Sequence, residues 1–195
     1  MERLKTVDCG KEIAIRMKFL IVYKSTTGFT RKYAEMIGKA LSCPVMGYRE
    51  VTAKVLSEYD TVVFGSRAHA GMIDGYKKMR EMFQKSRAEH LVLFVTGATP
   101  NAAEETISAF WKQNLSADEL TQIPHFYMQA GLCYERMSFA DKMMMKAAAA
   151  MLKKKKEKSD SDREFEKAIS CSYDISDGKY AEPLIAFLRA ESFSQ

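Results

Sequence analysis

Residues 19–30 read Phe19-Leu-Ile-Val-Tyr-Lys-Ser-Thr-Thr-Gly-Phe-Thr30. A short continuous apolar run ending in a polar loop predicts a strand buried on both faces, as in a parallel sheet. The loop offers the hydroxyls of Ser25, Thr26, Thr27 and Thr30 around Gly28, and a helical pattern follows over 29–41. A strand that feeds a helix through such a turn presents unsatisfied N–H groups and the positive end of a helix dipole. One hydroxyl suffices to cap a helix. Four around a glycine point to a bound phosphate monoester.

Outward from this stretch, Thr61–Phe64, Leu91–Val95 and the weaker Ile123–Met128 are further short apolar runs. Cys43–Met46 reads as an edge strand, where Pro44 costs little. Helical patterns fall near 74–87, 101–114 and 179–190. The alternation predicts a doubly wound α/β sheet. Ligands of such sheets sit at the carboxyl ends of the strands, which directs attention to the loops Gly65–Gly71 and Thr96–Pro100.

A chain of 195 residues with 47% hydrophobic and 28% charged residues suits one globular domain and argues against disorder. No apolar run approaches the roughly 20 residues of a membrane span. Cys9, Cys43, Cys133 and Cys171 form no CxxC pair, so neither a disulfide framework nor a zinc site is expected, and the thiols read as buried and reduced. Residues 1–16 lack the apolar core of a secretory signal, which suits a cytoplasmic protein. They read as an extension before a domain spanning 17–195, and Met17-Lys18 resembles a natural start. The net charge of +5 is local, since 142–158 alone holds seven lysines against one glutamate. A chain otherwise near neutrality is no nucleic-acid binder.

The phosphate loop is neither a GxxxxGK[ST] loop nor a GxGxxG loop, which leaves a mononucleotide as its guest. With Ala34 and Ile37 following, the S-x-T-G-x-T arrangement resembles the signature of the flavodoxins. That resemblance implies a five-stranded parallel sheet of order 2-1-3-4-5 that binds FMN. It carries the phosphate onto Ser25, Thr26, Thr27, Gly28, Phe29 and Thr30. The isoalloxazine ring falls to Ser66, Arg67, Ala68 and His69 after the third strand, and to Thr96, Gly97, Ala98 and Thr99 after the fourth. Neither ring loop has an aromatic residue, so one ring face is expected to stay open to a second substrate. Arg67 and His69 are the titratable side chains of these loops; they either serve the flavin or point to solvent. Trp111 falls in a helical pattern and reads as packing.

Beyond the fifth strand, 134–167 interrupts the scheme with an extra helix and a lysine run. Phe139, Met143, Ala147 and Met151 fall on one stripe of that helix, fit to pack on this domain or a partner copy, or to lie on a membrane surface through 137–156. The run Ala130-Gly-Leu-Cys-Tyr-Glu-Arg136, the Asp141-Lys-Met-Met-Met-Lys146 helix, Tyr59–Gly65 and Gly75–Arg80 are similar to the quinone-dependent protoporphyrinogen oxidases. This implies an enzyme that oxidises a porphyrinogen through FMN and passes electrons to a quinone or protein acceptor, peripheral to the inner face of the membrane. Arg67, Arg136 and the lysines would meet porphyrin carboxylates. The alternative is a flavodoxin-type electron carrier, although such carriers are typically acidic.

Overall fold

The computed structural model describes residues 17–154 and 171–191. The extension 1–16 and the second half of the lysine run lie outside the described residues. A parallel sheet is built from β1 (Phe19–Tyr23), β2 (Val45–Gly47), β3 (Thr61–His69), β5 (His90–Gly97) and β6 (His125–Gln129), in the order β2-β1-β3-β5-β6. A short β4 (Met72–Ile73) pairs antiparallel with β3. With β4 set aside, this is the expected order 2-1-3-4-5.

The strands are near-continuous apolar runs because helices cover both faces. Ile21, Val63, Val92, Phe94 and Met128 pack beneath α1 (Phe29–Leu41) and α7 (Glu182–Glu191). Leu20, Val22, Val62, Phe64, Leu93 and Val95 lie under α2 (Ala53–Leu56), α3 (Tyr76–Gln84), α4 (Glu104–Asn114) and α5 (Ala117–Gln122). Trp111 is buried on that second face, its ring 4.6 Å from that of His125, and is part of the core. Gly65 has a reason inside the sheet: a Cβ there would lie 2.0 Å from the Phe94 ring.

Several boundaries move for physical reasons. The edge strand starts after Pro44, whose carbonyl accepts from Ile21 N–H at 3.0 Å. The segment Gly65–His69 is strand and not loop, because β1, β5 and β4 supply it with ladder partners. Ala70 and Gly71, both at positive φ, then make the two-residue hairpin turn into β4. Helix α3 begins only at Tyr76, since Gly75 before it has φ 81°. The thiols are less enclosed than expected: Cys43 and Cys133 are half-buried and Cys171 is exposed.

The insertion leaves the sheet through β7 (Gly131–Leu132), which pairs antiparallel with β8 (Tyr173–Asp174) on the chain's return. Between them, α6 (Phe139–Lys154) is the expected extra helix. Its apolar stripe does not pack on the domain: Phe139 is 80% exposed and Met151 75%. Asp141 is what it buries instead. No helix of the described residues is long and apolar enough to cross a membrane.

Candidate functional site

The loop 24–28 leaves the carboxyl end of β1, between β2 and β3, where the sheet order reverses. Its last residue, Gly28, caps α1 in a left-handed conformation with φ 103°, and no side chain bonds the helix start. Its N–H turns back to Ser25 Oγ at 3.1 Å. The first-turn N–H groups of Phe29, Thr30 and Arg31 thus face the loop without an intrahelical acceptor. The hydroxyls of Thr26 and Thr27 bond no protein group among the described residues. A Ser/Thr-rich loop that leaves its own helix uncapped fits an anionic guest.

Thr30 is arranged differently. Its hydroxyl is buried and meets Thr96 Oγ1 at 2.8 Å, tying the start of α1 to the end of β5. Thr96 is 3.4 Å from the Ser66 carbonyl, and the buried Ser66 hydroxyl donates to the Asp74 carbonyl. The hydroxyls of Thr30, Ser66 and Thr96 are therefore spent inside the protein, and backbone groups are what these positions can offer a ligand. Phe29 packs against the core beneath α1.

The end of β3 and the loop after β5 are fixed by neighbouring side chains. Asn101 accepts from Gln129 N–H at 2.9 Å and donates to the Tyr127 carbonyl at 3.3 Å. Thr99 N–H donates to Tyr127 Oη at 3.1 Å, and a Cβ on Gly97 would fall 2.3 Å from that same oxygen. Burial pushes the Tyr127 hydroxyl above its usual pKa, so it stays a neutral partner for Thr99. Gly97–Thr99 is thereby held beside Arg67–His69, which lies across the β3–β5 ladder from Thr96.

Arg67 and His69 do not point free into solvent. Arg67 Nη1 donates to Asp141 Oδ2 at 3.1 Å, and His69 Nε2–H donates to Asp141 Oδ1 at 2.7 Å. Arg67 also reaches Asp74 at 3.3 Å, and Asp74 takes Lys24 Nζ at 2.6 Å. Burial opposes ionisation of Asp141, but the hydrogen bonds from His69 and Arg67 outweigh it and hold the carboxyl below its ordinary range. Asp74 is likewise lowered, the pairs with Lys24 and Arg67 winning over burial. The result is a chain of alternating charge, Lys24–Asp74–Arg67–Asp141, that runs from beside the loop 24–28, with His69 hydrogen-bonded to its last carboxylate at the end of β3.

Asp74 and Asp141 were not among the expected site residues. Asp141 carried one signal, an acid in the first turn of a lysine-rich helix, set off its apolar stripe. Arg136, which the resemblance offers as a candidate to meet porphyrin carboxylates, lies over the loop 24–28, its Nη1 3.5 Å from the Thr27 carbonyl. A separate cleft of about 640 Å3 opens at the amino-terminal ends of the strands, near Thr61, His90 and Pro124, away from these loops.

An open parallel sheet with a Ser/Thr-rich turn and an unsatisfied helix start at its switch point defines a doubly wound α/β domain with a candidate anion site at its strand ends. The chain belongs to the flavodoxin domain family, which it matches over residues 20–159. Solved structures similar to it include a flavodoxin WrbA-like protein from Agrobacterium tumefaciens, at 16% identity over 64% of this chain and 87% of that one, with a TM-score of 0.38. Flavodoxin 1 from Bacillus cereus aligns at 13% identity over 71% of this chain and 99% of that one, TM-score 0.39. A flavoprotein from Lactobacillus acidophilus NCFM, in complex with FMN, aligns at 16% identity over 58% and 92%, TM-score 0.37. Comparison with curated protein sequences finds no match.

Proposed function

We propose that this protein is an FMN-dependent oxidoreductase. The observation that carries the reading is the start of α1, whose first-turn N–H groups meet no side-chain acceptor among the described residues and which stands beside the Thr26 and Thr27 hydroxyls. The backbone of 25–30 with the Thr26 and Thr27 hydroxyls would hold the phosphate. The backbones of Ser66–His69 and Thr96–Thr99 would meet the ring edges, where short side chains and Gly97 allow close approach. Bound FMN supplies reversible redox chemistry that no side chain here can provide.

The chain's own residues add charge and orientation. Arg67, fixed by Asp74 and Asp141, places a cation where negative charge on a ligand is stabilised. His69, with Nε2 committed to Asp141, keeps Nδ1 for exchanging a proton. An inserted segment anchored beside the ring loops favours an enzyme over a simple carrier, because it adds surface for a substrate. A bulky carboxylate-bearing substrate such as protoporphyrinogen, with a quinone as acceptor, suits the cations and the exposed Phe139, Met143 and Met151 of α6. The same helix, with Lys142 and Lys146, suits peripheral contact with an anionic membrane.

The test has two stages. Heat-released cofactor is identified first, and FMN is expected. The holoprotein is then mixed anaerobically with protoporphyrinogen IX, and bleaching of the flavin band, reversed by a soluble quinone, is the expected result. If the porphyrinogen leaves the spectrum unchanged while a reductase cycles the flavin, the chain is a flavodoxin-type carrier. A colourless protein that takes up no FMN refutes both.

A further inference from the structure

The cations around the phosphate loop are not equivalent. Lys24 pairs with Asp74 at 2.6 Å, Arg31 with Glu35 at 2.7 Å and Lys32 with Asp174 at 2.9 Å. Each already has a carboxylate. Arg136 faces no carboxylate among the described residues; its Nη1 makes only a long contact, 3.5 Å, to the Thr27 carbonyl. Its Nη1 also lies 2.9 Å from where a Cβ on Gly28 would stand. The guanidinium therefore sits on the turn whose N–H groups await an anion.

Its position is built by the neck of the insertion. Arg136 closes the short 3-10 turn Tyr134–Arg136, which follows β7 directly. Tyr134 N–H donates to Ser172 Oγ at 2.9 Å, and Ser172 Oγ donates to Glu135 Oε2 at 2.7 Å, binding the turn to the returning strand. Glu135, the nearest acid in sequence, is thereby occupied by Ser172 and Cys133 instead of Arg136. Gly28 keeps the space clear from the other side, since any side chain there would displace the guanidinium.

We propose that Arg136 is a ligand of the cofactor's terminal phosphate, supplied by the insertion, and that it sets the preference for the phosphorylated flavin over riboflavin. The inference rests on the FMN reading and extends it. A guanidinium is suited to the role because it is always charged and presents paired donors to phosphate oxygens. It joins backbone N–H groups that carry only partial charge. The insertion then touches the site at two points, Arg136 at the phosphate end and Asp141 at the ring end.

The experiment titrates the full-length apoprotein with FMN and with riboflavin, following quenching of flavin fluorescence. Wild type is expected to prefer FMN. Arg136→Gln should weaken FMN by about ten- to a hundredfold, the range of a hydrogen bond to a charged group, and leave riboflavin unchanged. Arg136→Lys should restore part of the loss, and added salt should shrink the wild-type preference. If Arg136→Gln weakens both flavins equally, or neither, the inference is overturned, because a role confined to bracing the Thr27 carbonyl cannot tell the two apart. A wild type that binds riboflavin as tightly as FMN overturns it while sparing the flavin site. A wild type that binds neither overturns the FMN reading and this inference together.

Discussion

The two halves of the site are held by different means. On the side proposed for the phosphate, β1, Gly28 and α1 are contiguous in sequence, and the shape comes from backbone conformation and from places where a side chain cannot go. On the side proposed for the ring, Arg67 and His69 meet Asp141 from more than 70 residues away, and the shape comes from charged and hydrogen-bonded groups in partial burial. The first half should respond to steric change and the second to charge and pH.

The largest expected effect is at the seam between them. Gly65→Ala would place a methyl 2.0–2.6 Å from three atoms of the buried Phe94 ring. Overpacking commonly costs about 1–3 kcal/mol, and a clash with a ring enclosed in the core lies at or above the top of that range. It should appear as a lowered urea midpoint with an unchanged slope. A variant as stable as wild type would mean that the sheet yields easily here.

Asp141→Ala comes next. It leaves Arg67 and His69 without their shared carboxylate, a loss of about 1.5–3 kcal/mol in the docking of α6. Faster amide exchange in α6 with little change in the strands is the expected signature. The same contact gives a pH dependence whose sign follows from the lowered carboxyl. Stability from a depressed acid is present above its unfolded pKa, about 3.9, and is lost as pH falls through the folded value. Protection of α6 amides, corrected for the intrinsic exchange rate, should therefore fall below about pH 4 in wild type and change less in Asp141→Asn.

Gly28→Ala is the mildest. A left-handed alanine costs about 1–2 kcal/mol, and here it also crowds Arg136. Melting temperature should fall by about 2–8 °C and flavin affinity should fall with it, whereas the same drop in melting temperature with unchanged affinity would show that the turn supports the fold and not the ligand.

The same division explains what the sequence disclosed. Strand runs such as Phe19–Tyr23 and the turn that leads from them into α1 are local patterns, and they survive in the structure almost residue for residue, whereas the sheet order came with the family resemblance. The hairpin at Ala70-Gly71 was hidden because a run of small and polar residues does not distinguish a loop from a strand end that has found partners. Asp141 was hidden for another reason. An acid in a helix gains a partner only through the path of the whole insertion, and nothing near it in sequence names Arg67 or His69. The apolar stripe of α6 was legible as a pattern, but a pattern does not say whether the chain itself covers it.

The β7–β8 neck bears on how this protein could have been assembled. Because the outgoing strand Gly131–Leu132 and the returning Tyr173–Asp174 lie side by side, the segment between them is a closed excursion whose ends are one strand spacing apart. Its length can grow, shrink or be exchanged without disturbing the sheet, since the entropic cost of closing a loop rises only slowly with its size. The fold thus offers a cassette position, where a different surface can be joined to an unchanged α/β core.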